Sequence, residues 1–142
     1  MQCPCFSGKT YENCCKRFHE GENPDTALKL MRSRFSAYSL KKPDYIIKTT
    51  HPSCMYYQKD LEKWKKDIEE FADNASFKDL TIVDDFEEDK LAFITFVAHL
   101  DHLGEDATFT ERSYFVKEDG KWLYREGIVK KGIKTNKEMM EF

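Results

Sequence analysis

The chain has 142 residues, of which 35 % are charged and 40 % hydrophobic, with a formal net charge of −3 at pH 7. That length supports one globular core with a small appendage, and no apolar run approaches the ~18 residues of a membrane span. The negative balance speaks against general nucleic-acid binding, which calls for a concentrated basic face.

The chain opens on Cys3-Pro4-Cys5 and, after the eight residues Phe6 to Asn13, on Cys14-Cys15. Two thiol pairs joined by a short loop make a cage for a thiolate-loving ion. Zinc is its natural occupant, because it accepts four sulfurs in a closed tetrahedron. Structural disulfides belong to exported proteins, and nothing ahead of Cys3 reads as a charged, apolar and cleavable leader; the expected compartment is the cytoplasm. A Cys3–Cys5 or Cys14–Cys15 bond would also be strained. Redox thiols and crossed disulfides are the competing readings. Ser7-Gly8-Lys9 is short and polar, so its amides can turn toward the sulfurs, while Lys9, Lys16 and Arg17 are placed to offset their charge. His19 is a spare ligand candidate, read as a surface histidine at a helix entry because Cys15 already completes the set.

Asn23-Pro24 predicts a helix start, and Leu28, Met31, Phe35 and Tyr38 carry one apolar stripe to about Leu40. Pro43-Asp44 opens a second helix, which His51-Pro52 stops near Thr50. Leu61, Trp64, Ile68 and Phe71 mark a third, ending near Asn74. The period then changes. Leu80, Ile82 and Asp84 alternate as a strand, and Leu91 to Leu100 suits a central strand covered on both faces. Thr108–Lys117 puts Phe109, Glu111, Ser113 and Phe115 on one face; Glu118-Asp119-Gly120-Lys121 then turns the chain into a strand at Trp122–Arg125. Three helices followed by an antiparallel meander predict an α+β domain, with the helices packed on the concave face of one sheet. The expected division is a zinc knuckle at 1–19, the α+β domain at 20–128 and a solvated polar tail at 129–142.

The spacing Cys3-x-Cys5-x-Ser7-Gly8-x5-Cys14-Cys15 resembles the SEC-C zinc motif, which also ends the bacterial preprotein translocase motor SecA. The likeness implies one zinc ion on Cys3, Cys5, Cys14 and Cys15; Phe6 departs from the glycine usual after the second cysteine. The body resembles a nuclear-transport-factor-2-like cone. Met31-Arg32-Ser33-Arg34-Phe35-Ser36-Ala37-Tyr38, Asp44-Tyr45, Thr49-Thr50-His51-Pro52, Glu111-Arg112-Ser113-x-Phe115-Val116 and Gly120-x-Trp122 resemble the YchJ-like bacterial family. This resemblance runs from Cys3 to about Gly127 and implies a SEC-C knuckle fused to such a cone, with no particular reaction. SecA's tail docks to a secretion chaperone and to ribosomes, so the knuckle implies a protein or ribosome-associated partner.

Arg32, Ser33, Arg34 and Ser36 interrupt an otherwise apolar helix. Successive residues project about 100° apart, so Arg32 and Arg34 cannot share one exposed face, and one is expected to point inward. Glu111 and Ser113 share the inward face of their strand. An inward arginine and glutamate are expected to pair, since a lone buried charge is costly. The alternative is an open pocket in which Arg32 or Arg34, His51, Glu111 and Ser113 form an anion or carboxylate subsite. His51 otherwise bonds the last carbonyls of its helix. His99 and His102 flank Asp101 without a third metal ligand and read as strand-end surface residues; Cys54 reads as a small apolar side chain. No nucleophile motif, phosphate-binding glycine loop or pair of catalytic acids appears. The leading expectation is a non-enzymatic zinc-binding adaptor that docks to a protein or ribonucleoprotein partner through its knuckle. Its rival is a cone that binds a small ligand or transfers a proton.

Overall fold

Capping side chains set where the two longest helices begin. The computed structural model describes residues 1–141. A short helix α1 (Lys16–His19) follows the cysteine loop, and α2 (Ala27–Ser39) follows that. The start of α2 is Thr26, three residues beyond Asn23: its backbone is extended and its hydroxyl accepts from the Lys29 amide at 3.1 Å. The Glu87 carboxylate takes the Ala27 amide, another donor that the first turn leaves unpaired. Pro43 opens α3 (Pro43–Lys48), and Asp60 caps α4 (Leu61–Asp73). All three predicted helices are present, and none of the described helices is long and apolar enough to cross a membrane.

Five strands follow: β1 (Ala75–Glu87), β2 (Leu91–His102), β3 (Glu105–Asp106), β4 (Phe109–Glu118) and β5 (Lys121–Lys131). They form one antiparallel sheet in the order β1-β2-β4-β5, with β3 a short addition beside β2. Register shifts interrupt β1 after Phe77 and after Ile82, and the β4–β5 pair after Tyr114. Such bulges bend a strand and increase its twist, which curls this sheet around α2 and α4. They also hide period two from the sequence, which is why β1 begins five residues before Leu80. The α+β fold with helices on a concave sheet stands as predicted, and its core joins Leu30, Met31, Phe35, Trp64 and Ile68 to Ile94, Leu100 and Phe115.

Residues 1–19 do not stand apart from this body. Phe18 of α1 is 3 % exposed and belongs to the main core, while Cys3, Cys5 and Cys15 form a separate small cluster. The chain beyond 128 is no solvated tail either. It continues β5 to Lys131, crosses the convex side of the sheet, and ends in α5 (Asn136–Met139), which Thr135 and Glu138 close with a reciprocal capping box. Thr110 donates to the Gly132 carbonyl and accepts from the Lys134 amide; Thr95 donates to Asn136 Oδ1. The polar composition of this segment masks a single anchor, Met139, which is 1 % exposed. Met139→Ala is expected to cost about 2–5 kcal/mol, the usual range for truncating a buried methionine, as measured by urea unfolding. A loss below about 0.5 kcal/mol would mean that the segment only lies on the surface.

Candidate metal centre and cone cavity

The sequence brings its four cysteines together by a hairpin-like loop. Gln2 bridges Thr10, the Cys3 amide donates to the Lys9 carbonyl, and a single 3-10 turn at Tyr11–Asn13 delivers Cys14 and Cys15. The four Sγ atoms lie within 4.8 Å of one another, and no disulfide joins them. A zinc–sulfur bond of about 2.3 Å sets the edge of a tetrahedron at about 3.8 Å. Cys5–Cys14 at 3.5 Å and Cys14–Cys15 at 3.9 Å lie close to that edge. The donor set therefore fits a metal ion. Without a cation the four sulfurs do not ionise together. A hydrogen bond from Cys15 lowers the Cys5 thiol to about 4, the same contact pushes Cys15 far up, and burial raises Cys3 to about 11. Four thiolates this close need a cation among them.

Second partners differ from the expected ones. The Ser7 hydroxyl lies 3.2 Å from the Cys14 sulfur, and the Cys5 and Cys15 amides point at Cys3. Lys9 is exposed, and Arg17 pairs with Glu22. The cation that reaches the loop is Arg32, whose Nη1 donates to the Cys5 carbonyl at 2.9 Å. Arg32 thus points away from the cone and holds the knuckle. His19 corrects the sequence reading more sharply. It is half-buried between knuckle and body, where Nε2 donates to the Ser33 carbonyl (2.8 Å), Nδ1 accepts from the Tyr11 hydroxyl (2.7 Å), and the ring meets the edge of Tyr45. Phe6 takes the turn with φ 59°, a left-handed conformation that glycine adopts at no cost. Its ring meets Phe35 of α2, and this contact offsets the strain.

On the other side of α2 the cone encloses a cavity of about 610 Å³. Arg34, Glu111 and Ser113 line it together with Tyr124; His51 and Arg32 do not. His51 lies outside, with Nδ1 accepting from the Ser53 amide and Nε2 donating to Glu118 at 2.5 Å, so it neither enters the pocket nor caps its helix. The expected Arg–Glu pair does not form. Nη1 of Arg34 donates instead to the Ile46 carbonyl and to the Thr49 and Thr50 hydroxyls at the end of α3, and the guanidinium lies 4.5 Å from the Tyr124 ring centre. The Oε2 atom of Glu111 accepts from Ser113 (2.6 Å) and from the Tyr124 hydroxyl (2.9 Å). Gly127, opposite Ser113 in the ladder, makes room for both, since a Cβ there would come within 2.4 Å of the carboxylate and of the phenol. Tyr124 and Gly127 escaped the sequence reading because the bulge after Tyr114 breaks the alternation of β5. His99 bonds the Thr81 hydroxyl and His102 stacks on Phe71, so neither serves a metal cluster. Cys54 is buried on the cavity wall.

Burial raises the Glu111 pKa above its ordinary 4.5, against the opposing pull of Ser113, Tyr124 and Arg34. A carboxyl raised on folding contributes stability that is fully present below about pH 4.5 and is lost as pH rises through the folded-state value. Glu111→Gln removes that loss. In urea unfolding the variant is expected to gain on the parent as pH goes from about 4.5 to 8. A difference that stays constant over this range would show that the carboxyl does not titrate there.

The chain as a whole is similar to known proteins. The family model described as "YchJ, middle NTF2-like domain" matches residues 26–127. A UPF0225 protein of Vibrio vulnificus is 39 % identical over 127 residues, covering 88 % of this chain and 73 % of its own length. The solution structure of a SEC-C motif containing protein from Rhodopseudomonas palustris has a TM-score of 0.75 and 30 % identity, covering 90 % of this chain and 98 % of that one. A crystal structure of a SEC-C motif containing protein from Psychrobacter arcticus has a TM-score of 0.72 and 27 % identity, covering 93 % and 84 %. With this cone, this cysteine cluster and these relatives, the chain belongs to the YchJ-like (UPF0225) family.

Proposed function

We propose that this protein binds a small, mainly apolar ligand in its cone, and that a zinc ion on Cys3, Cys5, Cys14 and Cys15 braces the wall of that cone. One observation carries the reading: an aromatic cavity of about 610 Å³ holds an arginine and a carboxyl that do not neutralise each other. A cone built only for stability would be filled, or would pair the two charges. The volume falls in the range of small-molecule sites, and the few polar groups converge on one part of its wall. Zinc is the metal that a closed set of four thiolates selects, and the SEC-C description of the Rhodopseudomonas and Psychrobacter relatives supports it. Bound there, the ion would hold the loop whose Cys5 carbonyl receives Arg32.

Docking of a protein or ribonucleoprotein partner through the knuckle is the second reading. The inner side of the knuckle is taken by α2, which leaves the outer rim of the Phe6–Asn13 loop, where Phe6 is 39 % exposed. Phe6→Ser, which also removes the contact with Phe35 on the cavity wall, would abolish capture of such a partner.

Two measurements test the leading reading. Protein purified without added metal or chelator is expected to carry one zinc per chain by elemental analysis, and Cys14→Ser to lose it with a fall in thermal stability; metal-free protein of unchanged stability would remove the brace. The neutral dye N-phenyl-1-naphthylamine is expected to bind saturably with enhanced fluorescence, and Ala98→Phe, which fills the cavity, to abolish this with the circular dichroism retained. Undiminished binding to Ala98→Phe would place the dye elsewhere and sink the reading.

A further inference from the structure

The cone holds one cation and one carboxyl, each with a free side. Arg34 commits only Nη1 to the protein, and its Nε and Nη2 have no hydrogen-bond partner among the described residues. A guanidinium cannot discard its proton, so a half-buried one without a counter-ion favours an arriving anion. Its planar edge matches a carboxylate. Glu111 commits only Oε2, which two hydroxyls already fill; Oε1 is free among the described residues. The remaining wall is largely hydrocarbon and ring, including Met31, Phe35, Trp64, Phe96, Phe109 and Phe115.

We infer that the ligand is a compact apolar carboxylic acid, its ring-sized body against these aromatic walls, its carboxylate on the free edge of Arg34, and Glu111 donating to it from Oε1. The inference rests on the ligand-binding reading and adds the ligand's chemical class. A proton taken up by Glu111 goes to Oε1, because the Ser113 and Tyr124 protons occupy Oε2. The group then donates to the ligand instead of repelling it. Ionisable groups face Glu111 from three elements: Arg34 and Tyr38 from α2, Cys54 and Tyr56 from the segment after α3, and Tyr124 from β5; β2 sets Phe96 opposite it. Arg34 keeps its charge, and burial raises all three tyrosines, which stay neutral. Binding an anion beside an ionised Glu111 therefore requires a proton, and affinity falls as pH rises.

The test uses the full-length, zinc-loaded chain with bound N-phenyl-1-naphthylamine and two matched competitors, 1-naphthylacetate and 2-(1-naphthyl)ethanol. The acid is expected to displace the dye at least about tenfold more tightly than the alcohol at pH 6, a difference of about 1.4 kcal/mol. Arg34→Met is expected to erase that preference, read as the ratio of the two competitors' affinities within the variant itself; Arg34→Lys, which keeps the charge and loses the planar edge, is expected to reduce the ratio and serves if the methionine variant does not fold. The affinity of the parent for the acid is expected to weaken from pH 6 to pH 8, and that of Glu111→Gln to stay flat. Equal affinity for acid and alcohol overturns the inference and leaves the ligand-binding reading standing. Identical pH profiles for parent and Glu111→Gln overturn the role given to Glu111. Failure of the dye to bind the parent at all sinks the reading beneath it.

Discussion

The architecture depends on the angular spacing of side chains along α2. Residues two apart project about 200° from each other, so Arg32 and Arg34 leave the helix on nearly opposite sides. One reaches out to the Cys5 carbonyl and secures the knuckle; the other reaches in, over Tyr124, to the end of α3. Ser33 adds a carbonyl for His19 and a hydroxyl 2.6 Å from that of Tyr45, so the same turn of helix ties α1 to α3. The cone wall and the knuckle wall are two faces of one helix.

The polar residues of α2 looked incompatible with its apolar stripe, and their placement explains how a buried helix accommodates them. Ser33 and Ser36 donate to carbonyls one turn back, at Leu30 and Ser33, and so keep their hydroxyls satisfied at zero exposure. Arg34 meets three acceptors and an aromatic face in place of water. This explains why the anticipated ion pair with Glu111 is absent: the α3 terminus offers several oxygens in one place, and Tyr124 separates the two charges, bonding the carboxylate with its hydroxyl and the guanidinium with its ring.

Helices and central strands were legible from the sequence because apolar spacing records them directly. Trp64 and Ile68 fall on the buried side of α4, although Leu61 at its first turn is exposed, and Leu91–Leu100 lies within β2 at the middle of the sheet. The cysteine cluster was legible because four thiols in fifteen residues have few other uses. Features produced by irregularity or by distance were not. Bulges concealed the first half of β1 and the inward face of β5. One buried methionine in a polar segment gave no periodic signal for α5. His19 and His51 show a different limit: a histidine's partners, Ser33 and Glu118, lie 14 and 67 residues away, and no local pattern selects them.

Phe18 sits in the core of the cone although it belongs to the cysteine-bearing segment. Sequence motifs of this kind look like cassettes that can be moved between proteins, but here the cassette carries a plug for its host. A knuckle transplanted without α1 would leave an aromatic-sized void behind, and one acquired without a matching α2 would arrive with an exposed phenylalanine. The structural unit is therefore larger than the motif: cysteine loop, α1 and the outer face of α2 pack as one, and a graft that keeps the fold has to carry all three.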